Sequence, residues 1–296
     1  MNLKNLFAYL QERFPPVNMA LFAVLFGTVY SVARYFWSSY TPAPFGLREV
    51  GGMVAVITFF FRLRVFDEIK DYDLDAINHP QRVLQSGRVN LRQLFTLAVA
   101  GGVWELAWSV WSGWPTVVCW VLAVGYSLLM RYEFFVGAFL KKRLLLYAIT
   151  HMLIMPLVIA WVWSAYTPDF GLSRPLYLLA ALSLLGGFAF EIARKLHTPA
   201  AERPLVDSYS KTMGYAGAIG AVLLVLTGSV LVQRLLLTDL RSPNLPFVLI
   251  GLLYAATLVL YGLALARPAE KTLKLGELLV SLSMLVSYVC VIGVVL

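Results

Sequence analysis

The sequence predicts an all-α, polytopic membrane protein with nine transmembrane helices. Of its 296 residues, 60% are hydrophobic and only 14% are charged, and the mean hydropathy is +0.76. A soluble protein carries about a quarter charged residues. The apolar segments are about 20 residues long, as a membrane-spanning α-helix requires, whereas barrel strands alternate over about ten residues. These observations exclude a soluble globular protein and a β-barrel.

Nine apolar segments are close to the length that a hydrocarbon core demands. They are 18–38, 50–66, 91–113, 114–131, 144–165, 175–193, 214–233, 245–266 and 275–296. The third and fourth are separated by a tight turn, in which Pro115 suits a first helical position. The connections on the non-cytoplasmic side of the membrane are short and leave no room for a second domain. Residues 1–296 are therefore predicted to form one transmembrane domain.

The first 16 residues predict a separate, interfacial helix. Leucine and phenylalanine recur there at helical spacing, and Glu12 and Arg13 stand where a cleavable signal peptide would need apolar residues. We therefore expect residues 1–16 to form an amphipathic helix that lies on the membrane surface.

The basic residues predict the orientation of the chain. With the N-terminus on the cytoplasmic side, 19 of the 24 Lys and Arg residues fall inside. This asymmetry agrees with the positive-inside rule and accounts for the net charge of +8 without a nucleic-acid partner. Two longer cytoplasmic connections, 67–90 and 194–213, are the expected functional loops of a protein in the cytoplasmic membrane.

The first of these loops begins with an acidic cluster. If the second span continues as a helix, Asp67, Asp71 and Asp75 are spaced i, i+4, i+8 and form one stripe of carboxylates. Mg²⁺ suits such a stripe, because it takes one or two carboxylates and leaves positions for water and phosphate oxygens. Glu68 stands beside the stripe as a further candidate ligand, and Asp73 points away. The alternative is a solvated, charged helix at the membrane exit.

Basic residues follow the acidic cluster and suit an anionic phosphate ligand. Pro80 and Gly87 predict turns that bring Arg82 and Arg88 back towards the acids, and guanidinium groups grip phosphate oxygens with two parallel hydrogen bonds. Membrane-surface anchoring is the alternative for each arginine.

A second polar patch ends the sixth span, with Glu191, Arg194 and Lys195. An acid directly after an apolar span is a functional candidate. A simple i, i+4 ion pair between Glu191 and Lys195 is the alternative. Glu105, Glu133 and His151 are weaker candidates near the membrane, and for His151 a satisfied hydrogen bond in the core is preferred.

Residues 67–88 resemble the first motif of the UbiA-type intramembrane prenyltransferase family, Asn-Asp-x-x-Asp-x-x-x-Asp followed by Asn-x-Pro-x-Arg-Pro and Ser-Gly. Here Asp67 stands for the leading Asn, Glu68 for the next Asp, and Val83 for the second Pro. The family's second motif, Asp-x-x-x-Asp, is replaced by Glu191-Ile-Ala-Arg-Lys195, so a lysine takes the place of the second acid.

The resemblance implies nine helices around a central cavity and Mg²⁺-dependent transfer of a prenyl group from a polyprenyl diphosphate to a lipophilic or aromatic acceptor. It implies metal ligation by Asp67, Asp71 and Asp75. Glu191 would hold a metal or the acceptor, and Lys195 would be a fixed counter-ion to the diphosphate. The full set of predicted metal ligands is Asp67, Glu68, Asp71, Asp75 and Glu191, and all but Glu68 are predicted catalytic residues. The predicted substrate-binding residues are Arg82, Arg88, Arg194, Lys195 and Tyr132.

Aromatic faces would stabilise the allylic cation that forms when the diphosphate leaves. The candidates are Tyr72, Tyr126, Tyr132, Phe134, Phe135 and Tyr147. Two other functions use the same residues: a cation or lipid transporter with the acidic stripe as its ion site, and a prenyl diphosphate cyclase or non-catalytic lipid binder. Membrane lipids are expected partners, and no obligate protein partner is inferred.

Overall fold

The computed structural model describes residues 2–37, 45–202 and 207–295. Throughout these ranges the regular structure is helical and contains no β-strand, which confirms the predicted fold class. The helices are α1 (Leu3–Arg13), α2 (Pro16–Trp37), α3 (Leu47–Lys70), α4 (Tyr72–Asn78), α5 (Leu91–Ser112), α6 (Trp114–Arg131), α7 (Gly137–Lys141), α8 (Leu144–Met152), α9 (Ile154–Ser164), α10 (Arg174–Arg194), α11 (Tyr209–Met213), α12 (Tyr215–Asp239), α13 (Asn244–Ala266) and α14 (Glu270–Val295).

Eight segments of the described chain are long and apolar enough to cross a membrane. They are α2, α5, α6, α8 with α9, α10, α12, α13 and α14. The ninth predicted span, 50–66, lies within α3, which has 24 residues but includes Arg62 and Arg64. Within the described ranges, the prediction of nine spans therefore corresponds to eight clearly apolar segments and one more charged helix.

The fifth predicted span, 144–165, is not one regular helix. It divides at Leu153 into α8 and α9, whose first turn contains Pro156. Proline has no backbone N–H to donate to the carbonyl of Met152 four residues earlier, which accounts for the break. The seventh span is longer than predicted and continues to Asp239.

Close packing of α3 against α5 and of α10 against α12 forms much of the bundle. Small residues permit the first contact: a Cβ atom on Gly101 of α5 would lie 2.9 Å from Thr58 of α3. Because α3 and α10 end in the two predicted polar patches, this packing sets where the patches stand.

The N-terminal helix α1 is docked against the bundle as well as being amphipathic. Its Tyr9 is completely buried, and Phe14, just beyond its end, packs on Phe22 and Phe61 with ring centroids 5.9 and 5.6 Å away. Leu3 and Phe7 remain exposed on the opposite face. The picture of a helix that only rests on the membrane surface is therefore incomplete.

The 19 basic residues that the sequence places on the cytoplasmic side include Arg62, but the structure buries it inside the bundle. Its Nη1 lies 2.7 Å from Oε2 of Glu105 on α5, whose side chain is fully buried. An arginine without a partner would be unstable in this apolar layer, so the pairing explains its position.

Candidate functional site

The acidic cluster lies where α3 passes into α4. The helix breaks at Asp71, yet the Asp71 amide donates to the Asp67 carbonyl at 2.9 Å and the Asp75 amide to the Asp71 carbonyl at 2.8 Å. The helical spacing of the three aspartates is thus kept across the break. Asp73 is exposed, in agreement with its predicted outward direction.

The carboxylates of this cluster differ in whether a cation is already bound to them. Oε1 of Glu68 accepts from Arg13 Nε at 2.6 Å and from Arg64 Nη2 at 2.6 Å. Asp75 is paired with both Arg13 and Arg82. Glu68 and Asp75 were predicted as metal ligands, and in the structure arginine side chains already neutralise both carboxylates.

Asp67 and Asp71 are the less occupied members of the cluster. The nearest cation to the half-exposed Asp67 carboxylate is Lys70, with Nζ 3.8 Å away. The Asp71 carboxylate makes no hydrogen bond or ion pair with any described residue. Burial raises the pKa of Asp71, and the charges of Asp75 and Glu68 raise it further.

The turn after α4 separates the two predicted arginines. Gly87 adopts a φ of 76°, a left-handed conformation that glycine accepts readily, and so the turn forms as expected. Arg82 reaches back to Asp75, whereas the exposed Arg88 bonds to Ser86 at 3.2 Å. The structure therefore brings Arg82, and not Arg88, to the acidic cluster.

In the second patch, both carboxylate oxygens of Glu191 are occupied. Arg194 Nε lies 2.6 Å from Oε2, and Lys195 Nζ lies 3.0 Å from Oε1. Glu191 is nearly buried, whereas the two basic side chains are partly exposed. The i, i+4 pair with Lys195 is thus present. Burial raises the pKa of Asp67 to about 6, and Arg194 is among the cations that lower it, so Arg194 lies within electrostatic range of the α3 cluster. The two patches also share a neighbour, because α8 packs against α10 and its Tyr147 accepts a hydrogen bond from Lys70 of α3.

A third group of polar side chains stands beside these two patches. Lys70 Nζ donates to the Tyr147 hydroxyl on α8 at 2.8 Å and lies 4.0 Å from Oε1 of Glu133. Lys141 Nζ is 3.3 Å from the other oxygen of Glu133. The backbone from Glu133 to Phe135 has positive φ throughout, an uncommon conformation for residues other than glycine. This turn brings the Glu133 carboxylate to Lys70 and Lys141.

Tyr147 begins a series of aromatic rings that contact one another. The His151 ring stacks on Tyr147 with centroids 4.0 Å apart, Phe134 meets His151 edge-on at 6.1 Å, and Tyr126 meets Phe134 at 5.4 Å. His151 Nδ1 also bonds to the Tyr147 carbonyl at 2.8 Å, the type of hydrogen bond expected for it. Tyr132 is exposed instead and stacks on Phe135.

The structure thus joins residues that the sequence places far apart. Arg13 was missed as a site residue, since no local pattern links it to acids 55 and 62 positions later. Lys70 and Tyr147 are similarly linked only by the fold. Across the described ranges, no three His, Cys, Asp or Glu side chains are grouped closely enough to hold a metal ion by themselves. The segment 203–206, within the predicted second loop, lies outside these ranges.

Comparison with known proteins gives a family and a fold. The model of the "UbiA prenyltransferase family" matches residues 50–278, most of the chain. No curated protein sequence matches significantly. Among solved structures, that of a digeranylgeranylglyceryl phosphate synthase in membranes has a TM-score of 0.70 at 16% identity and covers 99% of each chain.

Two further solved structures are also similar. A UbiA homologue from Aeropyrum pernix K1 in the apo state has a TM-score of 0.63 at 18% identity, over 89% of this chain and 95% of that one. A UbiA homologue from Archaeoglobus fulgidus bound to GPP and Mg²⁺ has a TM-score of 0.56 at 13% identity, over 96% and 99%. At these identities the likeness concerns the fold.

Proposed function

This chain belongs to the UbiA prenyltransferase family, and on that premise we propose that it transfers a prenyl group from a polyprenyl diphosphate to a lipophilic or aromatic acceptor in the membrane. The observation that carries the proposal is that the end of α3 bears the Asp67 and Asp71 carboxylates within electrostatic range of Arg194, which stands beside Lys195 at the end of α10. Carboxylates opposite fixed cations suit a metal-bound diphosphate.

The chemistry of the donors fits Mg²⁺. Asp67 and Asp71 lie one helical turn apart, and neither is bound by an arginine. Mg²⁺ is usually held by one or two carboxylates, with water and substrate phosphate oxygens in the other positions, so a group of three acids is not required. When bound, Mg²⁺ neutralises negative charge on the diphosphate as the bond to the prenyl carbon breaks. The Archaeoglobus homologue bound to GPP and Mg²⁺ supports this assignment.

The second patch is proposed to act through its cations. Because Arg194 and Lys195 occupy both oxygens of Glu191, Glu191 would orient these two side chains towards the diphosphate and would not itself bind a metal. A single Mg²⁺ at α3, opposed by two fixed cations at α10, is then the proposed arrangement.

The aromatic cluster beside Lys70 is suited to the prenyl group. The cluster contains the rings of Tyr126, Phe134 and Tyr147, whose π-faces attract an allylic cation without reacting with it. The surrounding lipid and apolar helices exclude water, which would otherwise capture the cation. The N-terminus and the site are proposed to lie on the cytoplasmic side, in accord with the distribution of basic residues.

The test compares two substitutions in the same motif. Purified protein in lipid nanodiscs is incubated with GPP, Mg²⁺ and a membrane lipid extract as the source of acceptor, and substrate and products are followed by mass spectrometry. Asp71→Asn is expected to slow GPP consumption at least a hundredfold. Asp73→Asn, which removes an exposed carboxylate from the same motif, is expected to leave the rate unchanged. An unimpaired Asp71→Asn variant would overturn the proposed role of this cluster.

Product analysis separates the competing functions. A prenylated lipid indicates transfer, a cyclic hydrocarbon indicates a cyclase, and binding of GPP without consumption indicates a lipid-binding protein. Uptake of a divalent cation into proteoliposomes, unaffected by GPP, would instead favour the transporter.

A further inference from the structure

We propose that Arg13 of the N-terminal helix is a positioning residue, which fixes the angle between α3 and α4 and thereby the relative placement of Asp67 and Asp71. This inference rests on the proposed function for its chemical consequence, although the structural contact itself does not depend on it. In this arrangement α1 belongs to the site and is also a membrane-associated helix.

The guanidinium of Arg13 bridges the two sides of the helix break. Its Nε donates to Glu68 of α3 at 2.6 Å, and its Nη2 donates to Asp75 of α4 at 3.4 Å. Asp71 stands between them, at the junction, with backbone φ of −97° and ψ of 6°. Because the planar guanidinium holds both helices at once, it restricts the hinge on which Asp71 sits.

Neutralisation of the two carboxylates does not depend on Arg13 alone. Arg64 also binds Glu68, with Nε at 2.9 Å and Nη2 at 2.6 Å, and Arg82 also binds Asp75. Loss of Arg13 would therefore leave each acid with a counter-ion. The contribution that the other two arginines cannot supply is the bridge between the helices.

Further contacts hold α1 against the turn that follows α4. Glu12 accepts a hydrogen bond from the Val83 amide at 2.8 Å, and the Asn5 side chain donates to the Arg88 carbonyl at 3.0 Å. Tyr9 is completely buried beside Glu68, and burial, together with the Glu68 charge, raises the pKa of its hydroxyl. These contacts place Arg13 on a fixed support, as precise positioning requires.

Metal binding distinguishes positioning from simple electrostatics. Arg13 adds positive charge near the site, so on electrostatic grounds its removal would strengthen binding of a divalent cation. If Arg13 positions the carboxylates, its removal weakens binding instead. The probe is Mn²⁺ alone, titrated into full-length protein in nanodiscs and followed by electron paramagnetic resonance. Diphosphate is left out, because its Mn²⁺ complex is an anion that Arg13 would attract.

Arg13→Met is expected to raise the Kd for Mn²⁺ about tenfold, and Lys4→Ala, which removes an exposed charge from the same helix, is expected to leave it unchanged. The activity of Arg13→Met should show a raised KM for Mg²⁺ with kcat largely retained at saturating metal. Unchanged or tighter Mn²⁺ binding by Arg13→Met would overturn the inference.

Hydrogen–deuterium exchange gives a readout that needs no metal. Arg13→Met is expected to increase exchange at the amides of α4, Tyr72–Asn78, while Lys4→Ala does not. Equal protection of α4 in Arg13→Met and wild type would contradict the bridge. If wild-type protein binds Mn²⁺ but does not consume GPP, the proposed function fails, whereas the inference is still decided by the Kd and exchange comparisons.

Discussion

The buried ion pair between Arg62 and Glu105 predicts an asymmetric response to neutralisation. Arg62 Nη1 lies 2.7 Å from Oε2 of Glu105, and Trp120 Nε1 donates to the same oxygen at 3.0 Å. The Glu105 side chain is fully buried. Removing one partner from such a pair costs about 3–5 kcal/mol of folding free energy, because the other charge stays buried without a counter-ion.

The asymmetry arises because only one of these side chains can lose its charge. In Glu105→Gln, arginine keeps its proton, so the cost is independent of pH. In Arg62→Met, the carboxyl of Glu105 can take up a proton. For a carboxyl that titrates near pH 4.3 in water, this costs about 3.7 kcal/mol at pH 7, or 1.36 kcal/mol for each of about 2.7 pH units.

The cost of Arg62→Met should therefore fall with pH. The folded variant holds a proton that the unfolded chain has lost, so its stability rises as the pH falls, by about 1.4 kcal/mol per unit. Between pH 7 and pH 5 the recovery relative to wild type is about 2.7 kcal/mol. Glu105→Gln should show no such recovery.

Equilibrium unfolding in mixed detergent micelles at pH 5, 6 and 7 measures these differences. The double variant Arg62→Met/Glu105→Gln serves as the control, because it leaves no charge at this buried pair and should cost much less than the sum of the two single changes. Equal, pH-independent losses for both single variants, or additive losses in the double variant, would refute this account of the pair.

Three further outcomes are expected. Gly52→Ala should destabilise the protein by about 1–3 kcal/mol, because its Cβ would lie 2.5 Å from the Phe26 and Trp108 rings; in the same unfolding assay Gly125→Ala, with open space around it, should not destabilise it. Mn²⁺ affinity should fall on acidification at a higher pH than for an ordinary aspartate, because protons compete for Asp71, whose pKa is raised; a flat profile between pH 5 and 8 would contradict this. Titration of Mn²⁺ with diphosphate should give one bound ion per chain, and two would contradict a single-metal site.

Much of the architecture is predictable because it depends on local chemistry. Apolar segments of membrane-spanning length predict the helices, and the i, i+4 spacing of the aspartates survives the break at Asp71 because backbone hydrogen bonds continue through it. The pair between Glu191 and Lys195 could also be expected, since four residues separate them on one helix.

The contacts that were missed connect distant parts of the chain. Hydropathy and charge could not distinguish Arg62, buried against Glu105, from a base at the membrane surface, since its partner is 43 residues away. Arg13 likewise carries no signal of its ion pairs with Glu68 and Asp75. A surface helix and a docked helix share the same amphipathic pattern, and only tertiary packing separates them.

The balance of charge between the two patches favours one metal ion. The two patches contribute five negative charges, from Asp67, Glu68, Asp71, Asp75 and Glu191, and six positive charges, from Arg13, Arg64, Lys70, Arg82, Arg194 and Lys195. The set therefore carries +1 without metal. One Mg²⁺ raises the charge to +3, and a second would raise it to +5. A bound diphosphate, with about two to three negative charges, balances the first arrangement and not the second. We therefore infer that the lysine in the second motif takes over the electrostatic role of a second ion, permanently and without exchange.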